Sequence, residues 1–181
     1  MAKRKVILYL AISLDGFIAR EDGSIDWLPS TDNLEDDDNQ DYKDFYQQID
    51  VTLMGRKTYE QVLGFPGEFP YAKTTNYVFS RQQQQPNNLV HFIHDNIEEF
   101  VKQLKDQTGK DIWLIGGAEL NTLLLNANLI DELILTTIPT VLGKGIPLFG
   151  RHAIERQFKY LNTKTFPSGY VQIKYTSYES V

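Results

Sequence analysis

Short apolar runs alternate with amphipathic stretches along most of this 181-residue chain, and that alternation limits the folds available to it. Short runs rich in valine, isoleucine and leucine are typical of buried strands, and the stretches between them have helical spacing. Strands that alternate with helices form parallel sheets covered by helices. The pattern predicts strands over residues 6–12, 51–54, 76–79, 89–93, 111–115 and 133–138.

Helices are predicted between these strands, and one of them has well-defined ends. Asn96 is suited to cap it, Glu99 follows at the spacing of a capping box, and apolar side chains share one face as far as Leu104. Gly109 marks where this helix has ended. Other helices are predicted over residues 33–48, 57–63 and 118–125.

The pattern changes near the C-terminus. Residues 156–166 and 170–178 flank Pro167, Ser168 and Gly169, a composition typical of the turn in an antiparallel hairpin. No linker or internal repeat interrupts the chain. We therefore predict one domain over residues 1–181, with a mostly parallel sheet and an antiparallel hairpin at its edge.

Composition excludes several classes of protein. The chain has no cysteine, so disulfide frameworks, thiolate metal sites and cysteine nucleophiles are ruled out. No apolar run approaches the roughly 18 residues of a membrane span. The first apolar run is interrupted at Ser13 and Asp15, which favours a strand over a signal peptide. We expect a cytoplasmic protein with no membrane partner.

The net charge of −6 is concentrated in one window. Residues 32–44 contain seven acidic side chains and one basic one, while the rest of the chain has 17 of each. No basic stripe indicates a nucleic-acid partner. His91, His94 and His152 lack ligand partners at metal-binding spacing, and residues 36–38 lack the glycine and glutamate of a calcium loop. We predict neither nucleic-acid nor metal binding.

Glycine follows two of the predicted strands where each leads into a helix. Gly55 precedes Arg56 and Lys57, and Gly116 and Gly117 follow the strand at 111–115. Glycine lets a ligand approach the backbone, and the N-terminus of the following helix favours an anion. Ligands of open α/β sheets bind beyond the carboxyl ends of the strands, where both junctions fall.

A third polar junction, Ser80 and Arg81, follows the strand at 76–79. Three junctions of this kind suit a dinucleotide, which carries a pyrophosphate and a further phosphate. The same residues are also compatible with ordinary turns and surface positions, and this alternative stays open. The GxGxxG and GxxxxGK[ST] patterns are absent, so a nucleotide site must use another fold.

The segment after the first strand contains two polar turns and an aromatic residue. Ser13, Asp15 and Gly16 form the first turn, and a second turn at residues 23–26 leads to Trp27. A loop of this length is suited to cover a pocket, with Trp27 as one wall. A surface loop anchored by one tryptophan is the equal alternative.

These motifs, taken in order, resemble the dihydrofolate reductase fold family over essentially the whole chain. They are Ser13-Leu14-Asp15-Gly16 with Ile18-Ala19, Met54-Gly55-Arg56-Lys57-Thr58, Ser80-Arg81, Ile115-Gly116-Gly117 and Leu135-Thr136. The similarity is greatest to the C-terminal reductase domain of the bifunctional riboflavin-biosynthesis deaminase/reductase, whose Gly-x-Ser-x-Trp turn is approximated by residues 23–27. The resemblance implies a three-layer α/β fold.

The resemblance also implies that NADPH is the cofactor. Ser80 and Arg81 would hold its 2′-phosphate, and Gly116 and Gly117 would be joined by a cis peptide bond. The residues that would contact the other phosphates and the pyrophosphate are Gly55, Arg56, Lys57, Thr58, Ala118, Glu119 and Leu120. Ala11 and Ile12 would lie near the nicotinamide.

A buried carboxylate on the first helix, four residues before an aromatic side chain, is the catalytic group that the resemblance implies. Asp41 precedes Phe45 at this spacing, and Thr136 would be its hydrogen-bonding partner across the pocket. Asp44 and Asp38 are rivals, and a solvated, acidic helix N-terminus is the alternative to any catalytic role. Asp15 is a second candidate. Asp15, Trp27 and Phe45 are the predicted substrate contacts.

The expected activity is hydride transfer to a small heterocycle, most similar to that of a 5-amino-6-(5-phosphoribosylamino)uracil reductase. Reduction of dihydrofolate is the first alternative, and a non-catalytic nucleotide-binding protein is an alternative from another class. Phe17 replaces a basic residue usual in the riboflavin-pathway enzymes, and the acidic window would repel an anionic substrate. A homodimer that pairs through the aromatic C-terminal hairpin is also predicted.

Overall fold

The computed structural model describes residues 3–29, 36–85 and 87–178. Its strands are β1 (Val6–Ser13), β2 (Phe17–Ala19), β3 (Ile49–Gly55), β4 (Thr75–Phe79), β5 (His91–Ile93), β6 (Asp111–Gly116), β7 (Glu132–Ile138), β8 (Ile146–Pro147), β9 (Phe158–Thr165) and β10 (Val171–Ser177). Its helices are α1 (Asp36–Gln47), α2 (Arg56–Leu63), α3 (Ile97–Asp106) and α4 (Ala118–Asn126).

Eight of these strands form one sheet in the order β5-β4-β3-β6-β1-β7-β10-β9. The six strands from β5 to β7 are parallel, and β10 is antiparallel to both β7 and β9. The predicted parallel sheet and antiparallel hairpin are confirmed. Since β1, β3, β4, β6 and β7 run in one direction, their carboxyl ends lie along one side of the sheet, called here the carboxyl edge.

Helices cover both faces of the sheet. Alternate side chains of each strand point to opposite faces, so one strand can contribute to the core on each side. Val6 and Leu8 of β1 belong to the core beneath α3 and α4, whereas Ile7 belongs to the core beneath α1 and α2. Phe45 is the buried anchor of α1, and Leu124 of α4 is fully buried. Each such side chain contributes about 1.5–3 kcal/mol through burial. The three layers are therefore held by two separate cores.

Two local predictions were wrong. Asn96 adopts the left-handed conformation (φ 53°) and makes no side-chain hydrogen bond to the helix N-terminus. Glu99 instead accepts a hydrogen bond from Gln103 one turn later, so no capping box forms. Strand β5 begins at residue 91 rather than 89. Both errors concern the ends of elements, where competing local hydrogen bonds decide the outcome.

A second, two-stranded sheet pairs β2 with β8 and was not predicted. A Cβ atom on Gly145 would lie 2.3 Å from the carbonyl oxygen of Ala19, so only glycine allows the two chains to approach this closely. This pairing holds the loop after β7 against the turn after β1. No helix in the described ranges is long and apolar enough to cross a membrane.

Candidate active site

The two glycine junctions meet at the carboxyl edge, because β3 and β6 are neighbours in the sheet. Met54 is paired with Gly116, and a Cβ atom on Gly55 would lie 3.8 Å from the Gly116 carbonyl oxygen. A Cβ atom on Gly117 would lie 3.4 Å from Thr58 Oγ1. Glycine at these positions keeps the surface between the junctions open. The Gly116–Gly117 peptide bond is cis, as the resemblance implied.

Each of the two glycine junctions leads directly into a helix. Gly55 and Gly117 are the N-caps of α2 and α4, and neither helix has a side-chain hydrogen bond at its cap. The first-turn N–H groups and the positive end of each helix dipole favour an anion. The first turn of α2 has no acidic residue; Arg56 forms an ion pair with Glu60, and Lys57 is exposed. Leu120 is buried, so only its backbone faces this region.

The third junction follows β4, on the other side of β3. Gly55 is paired with Phe79, which places Ser80 beside the start of α2. The Ser80 hydroxyl donates to the Gln82 carbonyl (2.8 Å) and accepts from the Gln82 N–H (3.1 Å), so it shapes its own turn. The guanidinium of Arg81 lies 3.2 Å from the Glu119 carboxylate, with both side chains more than 80% exposed. The structure therefore brings all three predicted junctions together.

A row of side chains crosses the neighbouring strands near the same edge. Ala11 of β1 is paired with Thr136 of β7, Thr136 with Gln172 of β10, and Gln172 with Lys164 of β9. The Gln172 side-chain amide donates to Thr136 Oγ1 (3.1 Å). Ile12, next to Ala11 in β1, points to the opposite face. The row lies on the sheet face that α1 covers.

Asp41 is the acidic residue of α1 that reaches this row. Its carboxylate lies 3.1 Å from Lys164 Nζ, and its side chain is 27% exposed. Lys164 Nζ also lies 4.6 Å from the centre of the Phe166 ring. In the structure the Thr136 hydroxyl accepts a hydrogen bond from Gln172, and the Asp41 carboxylate accepts one from Lys164. The pairing of Asp41 with Thr136 across the pocket stays a prediction.

The two rivals of Asp41 are placed differently. Asp44 is exposed and accepts a hydrogen bond from Gln40 on the surface of the same helix (2.6 Å). The side chain of Asp38 lies outside the described residues. Among the described side chains of α1, Asp41 is therefore the carboxylate directed at the sheet.

Phe45 lies in the core below the row. Its ring stacks on Tyr9 at 4.2 Å and meets Trp113 edge-on at 5.4 Å. Tyr42 contacts the same cluster, and burial raises the pKa of its hydroxyl to about 12. Phe45 is only 6% exposed, so the structure places it as the anchor that fixes α1, and with it Asp41, above the sheet.

Asp15 connects the turn after β1 to the loop after β7. Its carboxylate accepts hydrogen bonds from the Ser13 hydroxyl (2.7 Å) and from the N–H groups of Leu142 (3.1 Å) and Gly143 (2.7 Å). The hydrogen bond from Ser13 and then those from the backbone hold the pKa of Asp15 below its usual value. Both oxygens thus have protein partners.

Trp27 lies half-buried in the segment that follows β2. Its indole N–H is buried and has no hydrogen-bond partner within the described chain. Its two alternative roles, as the wall of a pocket and as the anchor of a surface loop, both stay predictions.

Sequence reasoning missed Lys164, Gln172 and Asn121. Gln172 alternates with apolar residues along β10, and that period-two pattern was the available signal for its face. Lys164 lies between two threonines in β9, where no such alternation marks it. Asn121 lies in a run that is otherwise mostly apolar, in the first turns of α4, and is fully buried. A polar residue at an apolar position of a helix was the signal there.

A parallel sheet that ends in an antiparallel hairpin, with paired glycine junctions at its carboxyl edge, defines the dihydrofolate reductase fold. A dihydrofolate reductase of Enterococcus faecalis superposes with a TM-score of 0.69 and 18% identity, and 97% of each chain is covered. A protein of Shewanella sp. PV-4 assigned to riboflavin biosynthesis superposes with a TM-score of 0.82 and 25% identity over 97% of this chain and 99% of that one.

The particular family follows from the sequence itself. The model of the RibD C-terminal domain matches residues 4–172, and the chain belongs to this family. The Bacillus subtilis protein YwjB is 44% identical over 174 residues, which cover 96% of this chain and 98% of that protein. The family is reductase-like, which supports an oxidoreductase.

Proposed function

We propose that this protein is an NADPH-dependent reductase that acts on a small heterocyclic substrate. The observation that carries the proposal is the meeting of two glycine-capped helix N-termini beside the row that joins Ala11 to Lys164 and Asp41. The first feature suits the phosphates of a dinucleotide, and the second supplies a carboxylate and an ammonium group for a substrate.

The residues at the junctions fit this cofactor. Backbone N–H groups at the starts of α2 and α4 would bind the pyrophosphate, with Lys57 adding positive charge, and Arg81 would bind the 2′-phosphate. Ala11 is small and belongs to β1, the strand between β6 and β7, which leaves room beside it for the nicotinamide. When bound, NADPH supplies the hydride, and the protein supplies position and electrostatics.

The substrate that we propose is 5-amino-6-(5-phosphoribosylamino)uracil or a close relative. Membership in the RibD C-terminal domain family supports it. Lys164 also offsets the charge of Asp41, so the acidic helix is less repulsive to an anionic substrate than its sequence suggested. Asp41 and Lys164 would orient the heterocycle and provide the proton that accompanies the hydride.

A cofactor titration followed by turnover tests this function. We expect the quenching of protein fluorescence to give micromolar NADPH affinity, with NADH bound more weakly. NADPH oxidation should then require a ribosylaminopyrimidine. Binding without turnover on that substrate or on dihydrofolate would favour a non-catalytic nucleotide-binding protein. Failure to bind either cofactor would overturn the proposal.

We also propose that the protein forms a homodimer through the C-terminal hairpin. Strand β9 is one of the two outer strands of the sheet, and Tyr160 and Leu161 on it are 57% and 42% exposed. Exposed apolar residues on an edge strand favour pairing with another copy. Light scattering should give the mass of a dimer for the wild type and of a monomer for Tyr160→Glu. Equal masses for the two proteins would contradict this interface.

A further inference from the structure

We propose that Asn121 is a positioning residue that couples the Gly116–Gly117 junction to the turn after β1. This inference rests on the proposed function, because it takes the junction as the cofactor site and the turn as part of the substrate side. No role in either site was predicted for Asn121, and its side chain is fully buried behind the junction. It acts through the backbone segments on its two sides.

The first of these segments is the glycine junction. The Asn121 N–H donates to the Gly117 carbonyl oxygen (2.9 Å), and the side chain is fully buried. Gly116 has φ +107°, and a Cβ atom there would lie 3.0 Å from Asn121 Oδ1. Glycine at 116 is therefore what allows the amide of Asn121 to lie directly behind the junction.

The second segment is reached through a single residue, Leu148. Asn121 Nδ2 donates to the Leu148 carbonyl oxygen (2.9 Å), and the Leu148 N–H donates to the Gly16 carbonyl oxygen (3.0 Å). Gly16 lies in the turn whose Asp15 carboxylate holds Leu142 and Gly143. A continuous hydrogen-bonded path therefore runs from the cofactor junction to the turn beside β1.

Another asparagine of α4 provides a matched comparison. Asn126 Nδ2 donates to the His152 carbonyl oxygen (2.9 Å), and its Oδ1 accepts from the Ile154 N–H (3.0 Å). It is thus bonded to the chain beyond residue 150, away from Leu148 and the turn at Gly16. The two asparagines share a helix and an anchoring function, but only Asn121 connects the two sides of the site.

The path predicts how cofactor binding affects the segments on the substrate side of the site. A ligand that orders the glycine junction also orders Asn121, and the hydrogen bonds to Leu148 pass this restraint to Gly16. Replacing Asn121 by alanine removes the side-chain donor to Leu148 while keeping the backbone of the junction. Cofactor affinity is then retained, and the response of residues 13–18 and 141–149 to cofactor is lost.

Hydrogen exchange of backbone amides, with and without saturating NADPH, tests the inference. In the wild type, NADPH should slow exchange in segments 13–18 and 141–149 by about fivefold or more. In Asn121→Ala the same segments should change less than about twofold, with the Kd for NADPH within about threefold of wild type. Asn126→Ala should keep the wild-type response. Asn121→Leu, which is similar in size to asparagine, repeats the test if the alanine variant is unstable.

The outcomes separate this inference from the function on which it rests. Retention of the response in Asn121→Ala would overturn the coupling. NADPH binding to the wild type without any change in segments 13–18 and 141–149 would also overturn it and would leave the proposed function standing. Failure of the wild type to bind NADPH would overturn both.

Discussion

Replacing Asp41 by asparagine is expected to lower turnover about 100-fold and to leave NADPH affinity within about twofold. The asparagine side chain has the size of the aspartate and keeps an oxygen near Lys164, so α1 should stay in place over the sheet. What is lost is the negative charge and the ability to exchange a proton with the substrate. The proposed phosphate contacts lie at the starts of α2 and α4 and at Arg81, and none is on α1, so cofactor binding should be spared.

Asp44→Asn is the matched control, since Asp44 lies one turn along the same helix and its partner is Gln40 at the surface. Both variants remove one negative charge from α1, so a general electrostatic effect would appear in both. Steady-state rates with saturating NADPH distinguish the cases. Equal turnover for Asp41→Asn and wild type would show that Asp41 is only part of a solvated acidic helix, the alternative that the sequence also allowed. An equal loss of turnover in Asp41→Asn and Asp44→Asn would show that the effect is due to charge alone.

Most of the fold could be predicted because its signals are local. Each parallel strand is a short aliphatic run, and the alternation of strands with helices restricts the sheet to few arrangements. The glycine junctions were found for the same reason, since Gly55 and Gly116 interrupt apolar runs where strands end. The ends of elements were less certain, as at Asn96, whose left-handed conformation no local pattern marked.

The partners of the site residues could not be predicted, because they depend on register between distant strands. Asp41 and Lys164 are 123 residues apart in sequence. They meet only because β9 lies next to β10 at the edge of the sheet. Asp15 reaches Gly143 across 128 residues because β1 pairs with β7, which brings the turn after one strand beside the loop after the other. Sequence patterns identified Asp41 and Asp15 as candidates but not Lys164, and tertiary pairing determines which of these side chains interact.

Arg81→Ala is expected to weaken NADPH binding about 10- to 100-fold, because hydrogen bonds to charged groups contribute about 1.5–3 kcal/mol. NADH lacks the 2′-phosphate, so its affinity should change less than about twofold. Fluorescence titration with both cofactors measures the two effects in one experiment. An equal loss for NADPH and NADH would show that Arg81 acts on the fold or on the pyrophosphate rather than on the 2′-phosphate.

Replacing Glu119, the partner of Arg81, is expected to have the opposite effect on NADPH binding. Its carboxylate lies 3.2 Å from Arg81 and would compete with the 2′-phosphate for the guanidinium. Exposed ion pairs contribute at most about 1 kcal/mol, so Glu119→Gln should tighten NADPH binding by about two- to fivefold and leave NADH unchanged. The gain should shrink at high ionic strength, because salt screens exposed charges.

The control for Glu119 is a surface ion pair of the same kind at the opposite edge of the sheet. Lys3 and Asp106 lie 2.9 Å apart near the amino end of β1, with side chains 76% and 60% exposed. Asp106→Asn removes the same charge far from the junctions, so it should leave both cofactor affinities unchanged. If Glu119→Gln had no more effect than Asp106→Asn, the Arg81–Glu119 contact would not influence cofactor choice. Opposite shifts for Arg81→Ala and Glu119→Gln, both confined to NADPH, would place the 2′-phosphate between these two side chains.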